Sequence, residues 1–313
     1  MHITTTKKGT ILMRLNANFY LYSFLVCGVL HITLHAYKHE SSYPFISGDT
    51  FRALSNHIID ETNLLLDPQE ICLGDIIFVK TDYLNFFFKS YHTKINNSYI
   101  LITHNSAQLI DQSFLPYFED STILAWFGQN AIYNHPKLIP IPVGIANKHW
   151  KHGNTALLET ILNAPPVEKS ILVYMNFDKR TYPAERNFVW QLFSEKCFTT
   201  IATRKPFSEY LIDLAQSYFV LSPQGKGIDC HRIWETLLAG SYPIVKSSSL
   251  DHLFTDLPVI LINNWEDITE NFLQKKLNEM QKNKDQNVYN YEKLYMPYWI
   301  NKIEMIQSKC RKK

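Results

Sequence analysis

The stretch from Tyr218 to Val245 constrains the fold of this chain more than any other. It opens with Tyr218-Phe219-Val220-Leu221, an aromatic and apolar run suited to a strand buried in a parallel sheet. Ser222-Pro223 ends the run, and Gln224-Gly225-Lys226-Gly227 forms a turn whose backbone can approach a ligand closely. Apolar residues then recur at helical spacing from Ile233 to Leu238, with Asp229 as the expected N-cap and Gly240 as the stop. Tyr242-Pro243-Ile244-Val245 returns as a second strand. Polar residues gather where the first strand gives way to the helix, which in open parallel sheets is where nucleotides and their phosphates bind.

At about 100° per residue, His231, Arg232 and Glu235 fall on one side of that helix. Ile233, Trp234, Leu237 and Leu238 fall on the other. The expectation is an apolar face on a sheet and a polar face presenting an imidazole, a guanidinium and a carboxylate. The competing reading is a solvated face with an ordinary Arg232–Glu235 ion pair.

The rest of the chain keeps the same rhythm. Strands are expected at 75–80, 99–104, 122–127 and 137–143, with a helix over 50–63. A break falls at 150–167, where His152-Gly153-Asn154 and Asn163-Ala164-Pro165-Pro166 sit. A second set of strands follows at 171–175, 198–202, 218–221, 242–245 and 259–262, and 266–309 reads mainly as helix. At 313 residues the chain exceeds one comfortable core, so two domains are expected. The fold class read here is α/β, with two Rossmann-like domains at 39–155 and 165–275, a helical tail at 276–313, and an N-terminal hydrophobic helix in front.

That leading segment, 1–38, has Lys7, Lys8 and Arg14 ahead of an apolar stretch at 19–34. It reads as an uncleaved signal anchor, with the catalytic part on the non-cytoplasmic side of a membrane and in the secretory-pathway lumen or its equivalent. A hydrophobic fraction of 46% excludes a disordered chain. A net charge of +2 without a broad basic field gives no reason to expect a nucleic-acid partner. The five cysteines show neither a C-x-x-C nor metal-ligand spacing.

The Pro223, Gly225, Arg232, Glu235, Gly240 and Pro243-Ile244-Val245 pattern resembles the C-terminal half of exostosin-like glycosyltransferases, family 47. Leu253-Phe254-Thr255-Asp256-Leu257-Pro258 and Trp265-Glu266-Asp267-Ile268 are similar to that family's closing segments. The resemblance spans roughly 170–275 and implies a GT-B fold, two Rossmann-like halves with a cleft between them. It implies a transferase moving a sugar from a nucleotide-diphosphate donor to a hydroxyl acceptor, a glycan in the first instance. It also passes the ribose contact to Glu235 and the diphosphate contacts to Gly225 and Arg232. His231 stands where the family has a small hydroxyl residue, a departure that bears on the donor contacts.

Further donor-side candidates come from strand ends: Ser222, and Asn176, Arg180 and Arg186 after the strand at 171–175. No Asp-x-Asp occurs, so no metal or other cofactor is implied. The diphosphate charge is expected to meet helix N-termini, backbone N–H groups and cationic side chains instead. An inverting transfer needs a base in the N-terminal half. His104 is the first candidate, with Asp49 and then Asp82 behind it. Two alternatives stay open, a fucosyltransferase-like transferase and a non-catalytic nucleotide-sugar or glycan-binding protein. An oxidoreductase of Rossmann type lacks its G-x-G-x-x-G.

Overall fold

The computed structural model describes residues 39–311. The expected hydrophobic helix and anchor at 19–34 lie outside the described residues. Among those described, no helix is long and apolar enough to cross a membrane.

The N-terminal half begins with helix α1 (Gly48–Ala53) and strands β1 (His57–Ile59) and β2 (Ile76–Lys80). Helix α2 (Leu84–Ser90), strand β3 (Tyr99–His104), helix α3 (Leu115–Glu119), and strands β4 (Ile123–Gly128) and β5 (Leu138–Pro140) follow. The five strands pair in sequence order and all in parallel. Alternation sorts their side chains onto two faces. Ile77, Val79, Leu101 and Trp126 pack with Phe87, Phe88, Phe114 and Phe118 on the α2–α3 side. Ile76, Phe78, Ile100, Ile102 and Phe127 point the other way, into a core that also holds Phe51 of α1.

Helix α4 (Thr155–Leu162) leads into the second half. Strand β6 (Ile171–Met175), helix α5 (Pro183–Phe193), strand β7 (Thr199–Ile201), helix α6 (Phe207–Ala215), strand β8 (Ser217–Leu221) and helix α7 (His231–Leu238) come next. Strands β9 (Tyr242–Lys246) and β10 (Ile260–Ile262) and helices α8 (Glu270–Asp285) and α9 (Met296–Arg311) complete the chain. This sheet is also fully parallel, in the order β7-β6-β8-β9-β10. Because β7 lies on one side of β6 and β8 on the other, the direction of winding reverses between β6 and β8. Crevices at such a reversal, outside the carboxyl ends of the strands, are where doubly wound sheets hold ligands. Helices α5 and α8 cover one face through Val189, Phe193, Leu273 and Leu277. Helices α4, α6 and α7 cover the other through Leu158, Leu211, Leu214, Ile233 and Trp234.

Three expectations change. The helix over 50–63 is short: it ends at Ala53, and Ile58 and Ile59 instead pair with Phe78 and Val79. Asp229 does not cap α7. The N-cap is Cys230, which makes no side-chain cap bond, and Asp229 reaches to the other half of the molecule. The tail at 276–313 divides. Helix α8 covers the C-terminal sheet, whereas α9 returns to the N-terminal half, where Trp299 meets Phe51 edge-on and Gln307 donates to the Gly74 carbonyl.

Candidate functional site

The polar residues at the β6/β8 reversal are built around two arginines. Arg186, on α5, is buried and donates to three backbone carbonyls: Nε to Gln224 at 2.7 Å, Nη1 to Asp178 at 2.8 Å and Nη2 to Pro223 at 3.2 Å. Arg232, on α7, donates Nε to the Asn176 carbonyl at 2.8 Å. Both guanidiniums lie 5.5 Å from the centre of the Phe177 ring. Neither is matched by a carboxylate ion pair among the described residues. Burial, and then the charge of Arg232, push Arg186 down to about 10. Two cations side by side, with Asp178, Glu185 and Glu235 near but none of them in an ion pair with either, stand at the sheet's carboxyl edge, an arrangement that favours an anion between or beside them.

Glu235 is buried one turn along α7, where it accepts from the Tyr210 hydroxyl at 2.8 Å. Burial lifts its carboxyl to about 7, while Tyr210 and Arg232 pull the other way. Asn176 donates to the Tyr174 hydroxyl, which in turn donates to Asp213. Arg232, Glu235, Asn176 and Arg186 are thus brought into one neighbourhood. The ordinary Arg232–Glu235 pair does not form, because each group is held by another element.

His231 parts from them. Its Nδ1–H donates to the Gly144 carbonyl in the N-terminal half at 2.8 Å, and burial drives the imidazole down to about 4. Arg180 is also elsewhere: it is exposed and clasps Asp178, with Nη2–Oδ2 at 2.6 Å, so it does not line the crevice. Gly225 lies over Arg186, where an added methyl would come within 3.1 Å of Nη2. Ser222 borders an open cavity of about 520 Å³ at the carboxyl ends of β8, β9 and β10, with Phe188, Gln224, Lys246, Ser247 and Trp265 around it. Glu185, absent from the sequence reading, ties this wall together by accepting from the Trp265 indole at 2.7 Å and the Gln224 N–H at 3.1 Å.

Facing this half, β3 and β4 are followed within two residues by asparagines with left-handed backbone, Asn105 (φ 61°) and Asn130 (φ 54°). Asn130 Oδ1 accepts from the Ile228 N–H at 3.1 Å and its amide donates to the Ser106 carbonyl. Asp229 Oδ2 accepts from the Val143 N–H at 2.7 Å and from the Trp234 indole at 3.0 Å. These bonds and the His231–Gly144 contact fasten the two halves along the cleft.

His104 stands at the end of β3 as expected, but it is not placed to act as a base. Its Nδ1 accepts from the Asn105 N–H at 2.7 Å, and Nε2–H donates to the Pro142 carbonyl at 3.1 Å. Burial lowers it to about 4, so the ring is neutral with both nitrogens engaged. Asp49 lies beside it in the first turn of α1. Asp49 Oδ1 accepts from Asn105 Nδ2 at 3.0 Å and faces His39 Nδ1 at 3.1 Å. The Asp49 N–H donates to Asn147 Oδ1, and Asn147 Nδ2 donates back to Asn105 Oδ1, both at 3.0 Å. This close packing requires Gly48, where a methyl group would fall 1.8 Å from Asn105 Oδ1. Asp82 is apart from the cluster, accepting from Ser106 at the surface. The sequence reading missed His39, Asn105, His149 and Tyr210; an asparagine directly after the strand at 99–104 was the available signal for part of this set.

Fold and site together define an α/β protein with two parallel sheets and a polar crevice at the winding reversal of the second. More particularly, residues 185–307 match the family model described as the RXYLT1 C-terminal domain. No curated protein matches the chain. Among solved structures, a chain of the GtfA/B complex is similar at a TM-score of 0.40 and 10% identity, over 77% of this chain. This chain spans 59% of that one. A glycosyltransferase from Rickettsia africae ESF-5 is similar at a TM-score of 0.36 and 12% identity, over 74% of this chain and 76% of its own.

Proposed function

We propose that this chain transfers a sugar from a nucleotide-diphosphate donor to a hydroxyl acceptor, with the donor on the C-terminal sheet and the acceptor entering from the N-terminal half. The observation that carries this reading is the pair Arg186 and Arg232, each bonded to backbone carbonyls with no carboxylate ion pair among the described residues, and set at the β6/β8 reversal. A diphosphate supplies the missing negative charge and develops more of it as the sugar departs, so cations held in place beforehand stabilise the transition state. Glu235, which the resemblance to family 47 makes the ribose contact, lies in the same neighbourhood. The family-model match over 185–307 supports glycosyl transfer as the class of activity. In this reading the arginines, and not a metal, meet the diphosphate.

The test is a thermal-shift panel of nucleotide sugars on the full chain, UDP-xylose first, with and without EDTA. The expected result is one donor that raises the melting temperature equally in both, with nucleoside diphosphate released on turnover. Affinity without any turnover would mark a binding protein instead. A folded sample that responds to no donor would overturn the reading.

A further inference from the structure

Among all groups on the N-terminal side of the cleft, Asp49 leaves one feature unexplained. Its side chain is fully buried, Oδ1 has its partners, and Oδ2 has no hydrogen bond at all. An unpaired buried carboxylate oxygen is costly unless something comes to meet it. The nearest candidate is His149, whose Nδ1 stands 3.7 Å from Oδ2, just beyond hydrogen-bond length. The His149 side chain is 25% exposed, whereas that of His39, against the other oxygen, is 8% exposed. Of the two imidazoles facing Asp49, His149 is the one a substrate hydroxyl can reach.

Its position suits the task. Asp49 is fixed by Asn105, Asn147 and the close packing at Gly48, at the carboxyl end of β3. Three residues beyond His149, the His152 ring lies 6.3 Å from that of His231, at the start of α7 in the opposite half. The segment carrying His149 therefore runs along the interdomain cleft.

We propose that His149 is the catalytic base of the transfer, and that Asp49 is the positioning residue that aligns it. This rests on the glycosyltransferase reading above. A closure of the 3.7 Å gap lets Nδ1–H donate to Asp49 Oδ2, which leaves Nε2 with its lone pair free. Nε2 takes the proton of the acceptor hydroxyl as that oxygen forms a bond to C1 of the donor sugar. The bond from C1 to the diphosphate oxygen breaks on the opposite face, and its electron pair leaves with the nucleoside diphosphate. The outcome is inversion, and the imidazolium then returns its proton to solvent.

The experiment follows nucleoside diphosphate release from UDP-xylose, UDP-glucose, UDP-N-acetylglucosamine and GDP-fucose by the full chain, with water or a methyl glycoside as acceptor. With whichever donor turns over, His149→Gln is expected to lower kcat about 100-fold or more. Donor affinity by thermal shift should stay unchanged, and the acid limb of the pH–rate profile should disappear. His149→Ala should regain activity on addition of imidazole, which a merely structural loss would not do. If His149→Gln keeps kcat within threefold and retains the acid limb, the base assignment fails while the transferase reading stands. If the unaltered chain binds a donor yet releases no nucleoside diphosphate, both fail.

Discussion

Glu235→Gln separates stability from function at a single atom. The Glu235 carboxyl is raised by burial from 4.5 to about 7. Its folded form therefore holds a proton that the unfolded chain gives up between those values. The associated stability is complete below pH 4.5, declines as pH rises, and is gone above about 7. At about 1.4 kcal/mol per pH unit, the difference amounts to about 3 kcal/mol. A glutamine is neutral throughout and keeps an oxygen to accept from the Tyr210 hydroxyl. The variant and the natural protein should thus melt alike at pH 4.5. At pH 8 the variant should be more stable by up to about 3 kcal/mol, about 5 °C in melting temperature for a chain of this size. At pH 8, where the natural carboxyl is ionised, the variant should also lose the donor-induced shift, since the proposed ribose contact made by a carboxylate is weakened. Calorimetric melts in matched buffers decide it. A variant less stable than the natural protein at pH 8, or the same difference at both pH values, would refute the buried-carboxyl argument.

Asp229→Ala leaves the Val143 N–H and the Trp234 indole without an acceptor, and should cost about 2–5 kcal/mol in chemical denaturation. Asp229→Asn, which can still present one oxygen to both donors, should lose far less. His104 makes the opposite prediction about acid. Its imidazole is depressed from 6.5 to about 4, so the stability it confers is complete above pH 6.5 and is lost as pH falls toward 4. His104→Gln should flatten that decline by up to about 3 kcal/mol in urea titrations at pH 7 and 4.5; an unchanged decline would mean that the natural ring is solvated.

Much of the scaffold was legible because its strands are apolar runs bounded by breakers. Residues 99–104 and 171–175 are strands with the limits read from sequence. Strand β1 was not, because Ile58 and Ile59 also satisfy helical spacing after Phe51, and only pairing with Phe78 and Val79 decides between the two. The site divides in the same manner. Arg232 and Glu235 lie close together on one helix, and local periodicity sufficed to group them. The engagement of His104 depends on the Pro142 carbonyl, and the neighbourhood of Asp49 depends on Asn105, Asn147 and His149. Those partners lie from 38 to 100 residues away, and no periodicity links residues so far apart. Arg180 stands apart for a simpler reason: Asp178, two residues earlier, holds its guanidinium at the surface.

The return of α9 to the first half has a bearing on how the molecule comes into being. Trp299 and Ile303 belong to the same core as Phe51, Phe78 and Ile100, yet they are synthesised only after the whole of the second sheet. Until they emerge, one face of the N-terminal sheet lacks its cover, so the first half of the nascent chain waits for the whole of the second. A stop codon at position 296 would leave strands β6 to β10 and helices α4 to α8 in the chain. It would instead uncover the opposite half of the molecule, a lesion remote in sequence from the damage it does.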